Sequence, residues 1–142
     1  MRFSLSWVGW ALLSAFFAGL TAILAKIGIS GVNSNLAMAV RTTVVLVFTW
    51  GIALAVTGIG PLGQFTRRTW LFLVLSGLAT GLSWLCYFRA LQLGEASRVA
   101  PVDKLSVVFA ITLAVIFLHE KLTWQQWVGG SLVTAGALVL AL

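Results

Sequence analysis

The sequence predicts an all-α protein, a polytopic bundle of helices that cross a membrane. Hydrophobic residues make up 61% of the chain and charged residues only 8%, and the mean hydropathy is +1.07. A surface with so few charges cannot keep a globular domain in water, so the composition indicates a membrane protein. The apolar residues also fall into separate runs of about 20, the length at which a helix spans the hydrocarbon core.

Five such runs divide the chain, and each is predicted to be one transmembrane helix. They cover about 7–29, 34–57, 70–93, 98–118 and 123–141, and are called spans one to five. The first run is longer than the ~7–15 apolar residues of a signal peptide, so span one is predicted to be retained. No soluble domain fits between the spans. Residues 1–142 are therefore predicted to form a single transmembrane domain in the lipid bilayer.

Tryptophan marks the ends of these spans. Spans one, three and five begin with it, and a further tryptophan lies late in span two. In a five-span chain these positions all fall on one face of the membrane, where the indole ring sits at headgroup depth. The residues of this interfacial belt are Trp7, Trp10, Trp50, Trp70, Trp124 and Trp127. We interpret them as membrane anchors rather than as parts of a substrate site.

Five ionisable side chains lie inside the predicted spans, all in the opposite half of the membrane. Such groups are rare at that depth and mark an ion pair, a water-filled cavity or a binding site. A long side chain near a helix end can also carry its charge out to the headgroups. The five are Lys26, Arg41, Arg89, Asp103 and Lys104.

Arg41 and Asp103 are the two that such snorkelling explains least, because Arg41 lies deeper and the Asp103 side chain is short. Asp103 is the only carboxylate inside a span. An ion pair with Lys26, Arg41 or Lys104 would account for it, and so would a role in proton coupling or substrate binding. Span four itself is predicted to begin with Ser97 as its N-cap and to place Pro101 in its first turn.

Small residues predict close packing of several helices. Gly77 and Gly81 form a GxxxG pair in span three, and Gly129 and Gly136 share one face of span five, which is predicted to associate tightly with another helix. Small residues also line the face of span one that carries Lys26, which predicts that Lys26 points into the bundle.

An aromatic pair lies near the middle of span three. Trp84 is the one tryptophan away from the predicted belt, and Tyr87 follows one turn later. At that depth the two rings either line a cavity or simply pack against lipid and protein.

Enzymatic, metal-binding and nucleic-acid-binding functions find no support in the residues. The chain has one histidine and one cysteine, and no nucleophile–base pair, metal-ligand spacing or phosphate loop is visible. The basic isoelectric point of about 10.9 comes from charges at helix ends and inside spans, not from a basic face with stacking residues. We therefore predict no catalytic residue, no cofactor, no metal and no nucleic-acid partner.

Several linked motifs resemble one known family. The segment ALQLGEASRVAP (90–101) shows an AxxxGxAS-x-VAP pattern, VVFA (107–110) follows it, and HEKLTWQQWVGG (119–130) joins the last two spans. Together they resemble the end of an EamA-type domain of the drug/metabolite transporter superfamily. The first helix, GWALLSAFFAGLTAILAKIGI (9–29), resembles the opening helix of that domain. The likeness covers the chain as one five-span half-unit rather than the tandem pair usual in the family.

The resemblance implies a transporter that works in pairs. An odd number of spans makes the second half of a tandem protein enter the membrane inverted, with the substrate site between the halves. A single unit would obtain its inverted partner as a homodimer inserted in both orientations, or as a heterodimer with a related chain. We therefore expect a secondary-transporter subunit that acts by alternating access in the plasma (inner) membrane of a bacterium or archaeon.

The excess of cationic groups within the spans points to a small-molecule substrate that is anionic or zwitterionic. Arg41, Arg89 and Asp103 are predicted to line the polar end of its cavity, and Trp84 and Tyr87 the apolar wall. Two alternatives remain from sequence: a non-transporting accessory or assembly subunit, and a subunit of a flippase for lipid-linked substrates.

Overall fold

The fold is built from helices throughout residues 6–142, the part of the chain that the computed structural model describes. No strand occurs among these residues, which confirms the all-α prediction. The elements are α1 (Trp7–Gly28), α2 (Ser34–Val56), a short 3-10 helix (Gly60–Gln64), α3 (Arg67–Leu93), α4 (Ala96–Asp103), α5 (Ser106–Leu118) and α6 (Trp124–Ala141).

Four stretches of helix are long and apolar enough to cross a membrane. They are α1, α2, α3 and the 23 residues of Ala96–Leu118, which contain α4 and α5. Helix α6 has 18 residues and begins with polar Gln125 and Gln126, and it is not among the four. The crossing of the membrane by α6, and with it the count of five spans, stays a prediction.

Local side-chain bonds set where two of the helices begin. The Asn33 side chain accepts a hydrogen bond of 2.9 Å from the backbone N–H of Asn35 at the start of α2. At the start of α6, Thr123 and Gln126 form a reciprocal capping box. The backbone N–H of Thr123 donates to Gln126 Oε1 at 2.8 Å. Caps of this kind stabilise a helix by about 1 kcal/mol because they satisfy amides that have no partner within the helix.

Span four is broken near its beginning, which the sequence interpretation did not predict. Its helix starts at Ala96 with Glu95 as the N-cap, not at Ser97, so Pro101 lies inside α4 rather than in its first turn. Proline has no N–H and its ring crowds the preceding turn. Three residues later, Lys104 N donates to Pro101 O and Leu105 N to Val102 O, both at 3.0 Å. These tighter three-residue bonds separate α4 from α5.

The chain forms two compact units. The terminal unit contains the residues up to Ile27 together with Leu93–Leu142, and the central unit contains Gly28–Gln92. The buried residues of the terminal unit are Ala22, Ala25 and Ala137, and those of the central unit are Ile29, Ser34, Met38, Phe88 and Leu91. Most large apolar side chains are exposed instead, as expected for helices whose surroundings are lipid.

The tryptophans separate into two groups by exposure. The six tryptophans of the predicted belt are between 43% and 82% exposed. Trp84 alone among the seven is half-buried. Its environment therefore differs from that of the other six tryptophans.

Candidate functional site

One face of α2 is turned away from the surroundings and carries Arg41. The residues that are buried or half-buried along this helix recur every three or four positions, which is one face of an α-helix. They are Ser34, Ala37, Met38, Arg41, Thr42, Val45 and Ala53. The Arg41 side chain is therefore half-buried and does not extend freely into the surroundings. The position of Arg41 in the sequence did not decide between these two arrangements.

The Arg41 side chain packs on two aromatic rings of α3. Its guanidinium carbon lies 4.3 Å from the centre of the Trp84 ring and 5.4 Å from that of Phe88. Trp84 and Phe88 are four residues apart, so both rings project from one face of α3. A cation over aromatic faces is stabilised by about 0.5–2 kcal/mol, more as water is excluded. We call Arg41, Trp84 and Phe88 the Arg41 cluster.

The guanidinium of Arg41 lacks an acceptor within the part of the chain that the structure describes. Its contacts there are with aromatic rings, and no hydrogen bond or salt bridge joins it to residues 6–142. The central unit contains no aspartate or glutamate at all. An arginine presents five N–H donors, and leaving a half-buried cation without an anion is costly. The cluster is therefore suited to an anionic group that the central unit does not supply.

A second polar group of α2 is also unsatisfied. The hydroxyl oxygen of Thr42 is buried and has no hydrogen-bond partner among the described residues. Threonines inside helices normally donate back to the carbonyl four residues earlier. The five that do so here are Thr43, Thr49, Thr80, Thr112 and Thr134. Thr42 departs from this pattern at the position next to Arg41.

The other arginine of the predicted site has a different environment. Arg89 is exposed, and its Nη1 donates to Gln92 Oε1 at 3.0 Å. Gln92 Nε2 in turn donates to the carbonyl of Val32 at 2.6 Å. This chain of bonds ties the end of α3 to the link between α1 and α2. The structure does not bring Arg89 into contact with the Arg41 cluster.

Lys26 has an acceptor within the terminal unit. Its Nζ donates to the carbonyl of Gly94 at 2.7 Å, and the side chain is half-buried. Ala22 and Ala25, its small neighbours on α1, are buried. Lys26 therefore stabilises the link that precedes α4, and the contact accords with the prediction that this lysine points inward.

Asp103 lies at the break between α4 and α5. Its Oδ2 accepts a bond of 3.3 Å from Lys104 Nζ, and this pairing is one of the three that the sequence left open. Both side chains are partly exposed, so the pair contributes little to stability.

The glycines predicted to pack helices together have no close neighbour among the described residues of their own unit. A Cβ atom built on Gly77, Gly81, Gly129 or Gly136 would meet nothing within 4 Å.

An open groove of about 480 Å³ runs between α5 and α6 in the terminal unit. Apolar side chains such as Ile111, Val115, Trp127 and Leu138 dominate its lining. No group of three or more metal-ligating side chains occurs among the residues described.

The EamA-like transporter family matches residues 5–142. The chain belongs to this family. It is 53% identical over 138 residues to an uncharacterized transporter in the cobO 3′ region of Sinorhizobium sp., covering 97% of this chain and 98% of that protein. Family membership and the apolar helices make it an integral membrane protein, and they support a transporter rather than an enzyme.

Two further relatives are more distant. A probable terminal-alkyne amino-acid exporter of Streptantibioticus cattleyicolor is 36% identical over 96 residues, which cover 63% of this chain and 31% of the exporter. An uncharacterized protein of Methanocaldococcus jannaschii is 28% identical over 71 residues, 50% of this chain and 52% of that protein. No solved structure matches the chain significantly.

Two members of the site were missed by sequence reasoning. Phe88 follows Trp84 at helical spacing, so the period of α3 was a signal that could have found it. Thr42 gave no such signal, because a buried and unsatisfied hydroxyl becomes visible only once the helices are placed. Of the predicted residues, the structure packs Arg41 on Trp84, brings the half-buried Tyr87 near enough for an electrostatic interaction with Arg41, and pairs Asp103 with Lys104.

Proposed function

We propose that this chain is a subunit of a secondary transporter for small anionic or zwitterionic metabolites, with the Arg41 cluster as its substrate site. The observation that carries the proposal is the half-buried guanidinium of Arg41, which lies on Trp84 and Phe88 without an acceptor among the described residues. Charged groups inside membrane helices are retained chiefly where they bind ions or substrates.

The chemistry of the cluster suits transient binding. The two rings cover part of the guanidinium and leave N–H groups to donate to oxygen atoms of a carboxylate or phosphate. Such charge-assisted bonds are strengthened where water is excluded, whereas the aromatic contacts persist when the substrate leaves. The site can therefore empty without a collapse of the surrounding helices.

The transporter is proposed to act as an inverted pair by alternating access. The Sinorhizobium relative is similar in length, since this chain covers 98% of it. The S. cattleyicolor exporter matches over only 31% of its own length, in keeping with a longer relative. A second copy in the opposite orientation, or a related chain, would supply the other half. We place the pair in the bacterial inner membrane.

Transport of a small anion is tested in proteoliposomes on a solid support, where transient currents follow addition of monocarboxylates, phosphate monoesters or amino acids. Wild-type protein is expected to respond to at least one anionic or zwitterionic class. Arg41→Leu is expected to abolish the response because it removes the donors. Arg89→Gln is the matched control, since Arg89 is exposed and outside the cluster. Equal currents from wild type and Arg41→Leu would contradict the proposal, and no current from any class would favour an accessory subunit.

A flippase for lipid-linked substrates is a second candidate, and the groove between α5 and α6 favours it. The groove is open and apolar, as a passage for a lipid tail would have to be. Ala135 lines it and is exposed, so Ala135→Phe would narrow the groove with little effect on folding. Loss of lipid-analogue movement in this variant, with small-anion currents retained, would support the flippase.

A further inference from the structure

We infer that the Arg41 cluster selects an organic monoanion, specifically a carboxylate, over a dianion such as a phosphate monoester, with Thr42 as a second donor to the substrate. This inference rests on the proposed function, because it names the substrate class of the same site. Three observations carry it: the charge available at Arg41, the acceptors already taken by the other cations, and the unsatisfied hydroxyl of Thr42.

Among the cations predicted inside the spans, Arg41 alone has no hydrogen-bond acceptor in the described residues. Within the described residues, Lys26 donates to Gly94 O, Arg89 to Gln92 and Lys104 to Asp103. Arg41 contacts only aromatic groups. The central unit also lacks any carboxylate that could take up a second cation or neutralise Arg41. Arg41 is therefore the one cation of this set whose N–H groups have no acceptor among the described residues, and it brings one positive charge to the cluster.

A single positive charge discriminates by the net charge of what it binds. A monoanion leaves the occupied site neutral, whereas a dianion leaves one uncompensated negative charge within a membrane helix bundle. Uncompensated charge at that depth is expensive, and the attraction of one guanidinium does not offset the desolvation of two negative charges. The balance favours a carboxylate, whose two oxygens also match the guanidinium fork.

Thr42 supplies the second element of recognition. Its hydroxyl is buried without a partner on the face of α2 that carries Arg41. A bound carboxylate can accept several hydrogen bonds, so it can satisfy this donor together with the guanidinium. An unsatisfied buried hydroxyl costs stability in the empty protein and gains a bond on binding. Thr42 thereby favours the occupied state.

Binding is read from Trp84, which lies directly beneath the guanidinium. A Trp84-only variant, with the six belt tryptophans changed to phenylalanine, reports the site by fluorescence in phosphatidylcholine nanodiscs. The probes are acetate, benzoate and phenylacetate, with methyl phosphate and phenyl phosphate as dianions at pH 8 and phenylacetamide as the neutral control. Calorimetry on wild-type protein with the same probes replaces fluorescence if the variant does not fold.

At least one carboxylate is expected to bind about tenfold or more tightly than its paired phosphate, and the amide is expected not to bind. Thr42→Val keeps the shape of the side chain and is expected to weaken carboxylate binding about 3- to 10-fold, the worth of one hydrogen bond. The matched control is Thr43→Val. The Thr43 hydroxyl is exposed and already donates to Ala39 O, so affinity should not change.

Three outcomes would overturn the inference: equal or tighter binding of the phosphates, equal effects of Thr42→Val and Thr43→Val, or no binding of any carboxylate. Loss of carboxylate binding in nanodiscs that contain phosphatidylglycerol would also overturn it, because it would assign the anion to lipid. Binding without transport would refute the proposed function and leave this inference standing. Transport that prefers phosphates would refute this inference and leave the proposed function standing.

Discussion

Lys26 and Arg41 show that the same charge within a membrane helix can have two different roles. Lys26 donates to a backbone carbonyl at 2.7 Å and so contributes to the fold. Arg41 rests on aromatic rings, and its donors are not matched by acceptors in the described residues. The sequence places both in the same half of the membrane, with Arg41 deeper, and in the structure only Lys26 of the two has an acceptor among the described residues.

Removing the Lys26 amine is expected to destabilise the protein. Lys26→Met keeps the aliphatic stem and leaves the carbonyl of Gly94 without this donor, at a cost of about 1–3 kcal/mol. Thermal unfolding in detergent measures the change. Lys104→Met is the matched control, since its pair with Asp103 is partly exposed and should contribute about 0–1 kcal/mol. Equal unfolding temperatures for the two variants would show that the Gly94 contact adds nothing.

Asp103 is proposed to couple transport to protons, as the only carboxylate within a predicted span. Asp103→Asn removes the titrating group and keeps the size of the side chain. We expect loss of uptake driven by a pH gradient in proteoliposomes and retention of exchange between internal and external substrate. Glu95→Gln is the control, because Glu95 lies in the exposed link and pairs with Arg98. Unchanged pH-driven uptake in Asp103→Asn would show that Asp103 does not couple transport to protons.

At the scale of the elements, the break between α4 and α5 is the main departure from a set of plain spans. Helix α4 is interrupted at Lys104 and Leu105, three and four residues after Pro101. Short three-residue hydrogen bonds replace the helical pattern there. Such interruptions within a membrane helix provide a place where the segment can bend.

Replacing Pro101 is expected to stabilise α4. Pro101→Ala restores a backbone N–H and removes the ring that crowds the preceding turn, so stability should rise by about 1 kcal/mol or more. Thermal unfolding tests the gain, and transport should slow if bending is part of the cycle. Pro61→Ala is the control, because Pro61 lies in the first turn of the 3-10 helix, where proline fits. A fall in stability for Pro101→Ala would contradict this account.

Helix positions could be predicted from the sequence more fully than helix interruptions could. Hydrophobic length placed span one at 7–29 and span two at 34–57, close to the observed Trp7–Gly28 and Ser34–Val56. The break in span four was missed because it lies at Lys104 and Leu105, where the sequence has no proline or glycine, and the position of Pro101 was misjudged because the first helical residue was placed two positions late. That error put Pro101 in the first turn, where a proline costs nothing.

The candidate site was predictable only in part, for a related reason. Depth and charge identified Arg41, and depth alone identified Trp84. Whether a polar group is satisfied depends on which acceptors the fold brings near it, so neither the role of Lys26 nor the isolation of Thr42 could be derived from spacing.

At the scale of the whole molecule, the balance of positive charge bears on orientation. Arg67 and Arg68 lie at the start of α3, and most other cations fall toward the opposite predicted side. The loop charges alone favour a cytoplasmic N-terminus, whereas with the charges inside the predicted spans included the two sides are nearly matched, as expected for a chain that inserts in both orientations. The open faces of Gly129 and Gly136 would then be available to an inverted copy.

Dual insertion is tested by reporters fused after Leu142, one active in the cytoplasm and one in the periplasm. We expect signal from both. Arg67→Ala together with Arg68→Ala should shift the ratio, because the positive charge on that side falls. The control is Arg98→Ala, which is expected to shift the ratio in the opposite sense. Signal from one reporter alone would require a separate, oppositely oriented partner chain.

The missing counter-charge at Arg41 has a consequence for the energetics of a transport cycle. A site that holds one positive charge when empty becomes neutral when a monoanion occupies it. In a cycle that carries no proton with the substrate, the membrane voltage then acts on the return of the empty site and not on the loaded passage, with about 2.3 kcal/mol per charge for each 100 mV that the charge traverses. Net transport should therefore accelerate or slow with voltage, while one-for-one exchange of substrate should be indifferent to it.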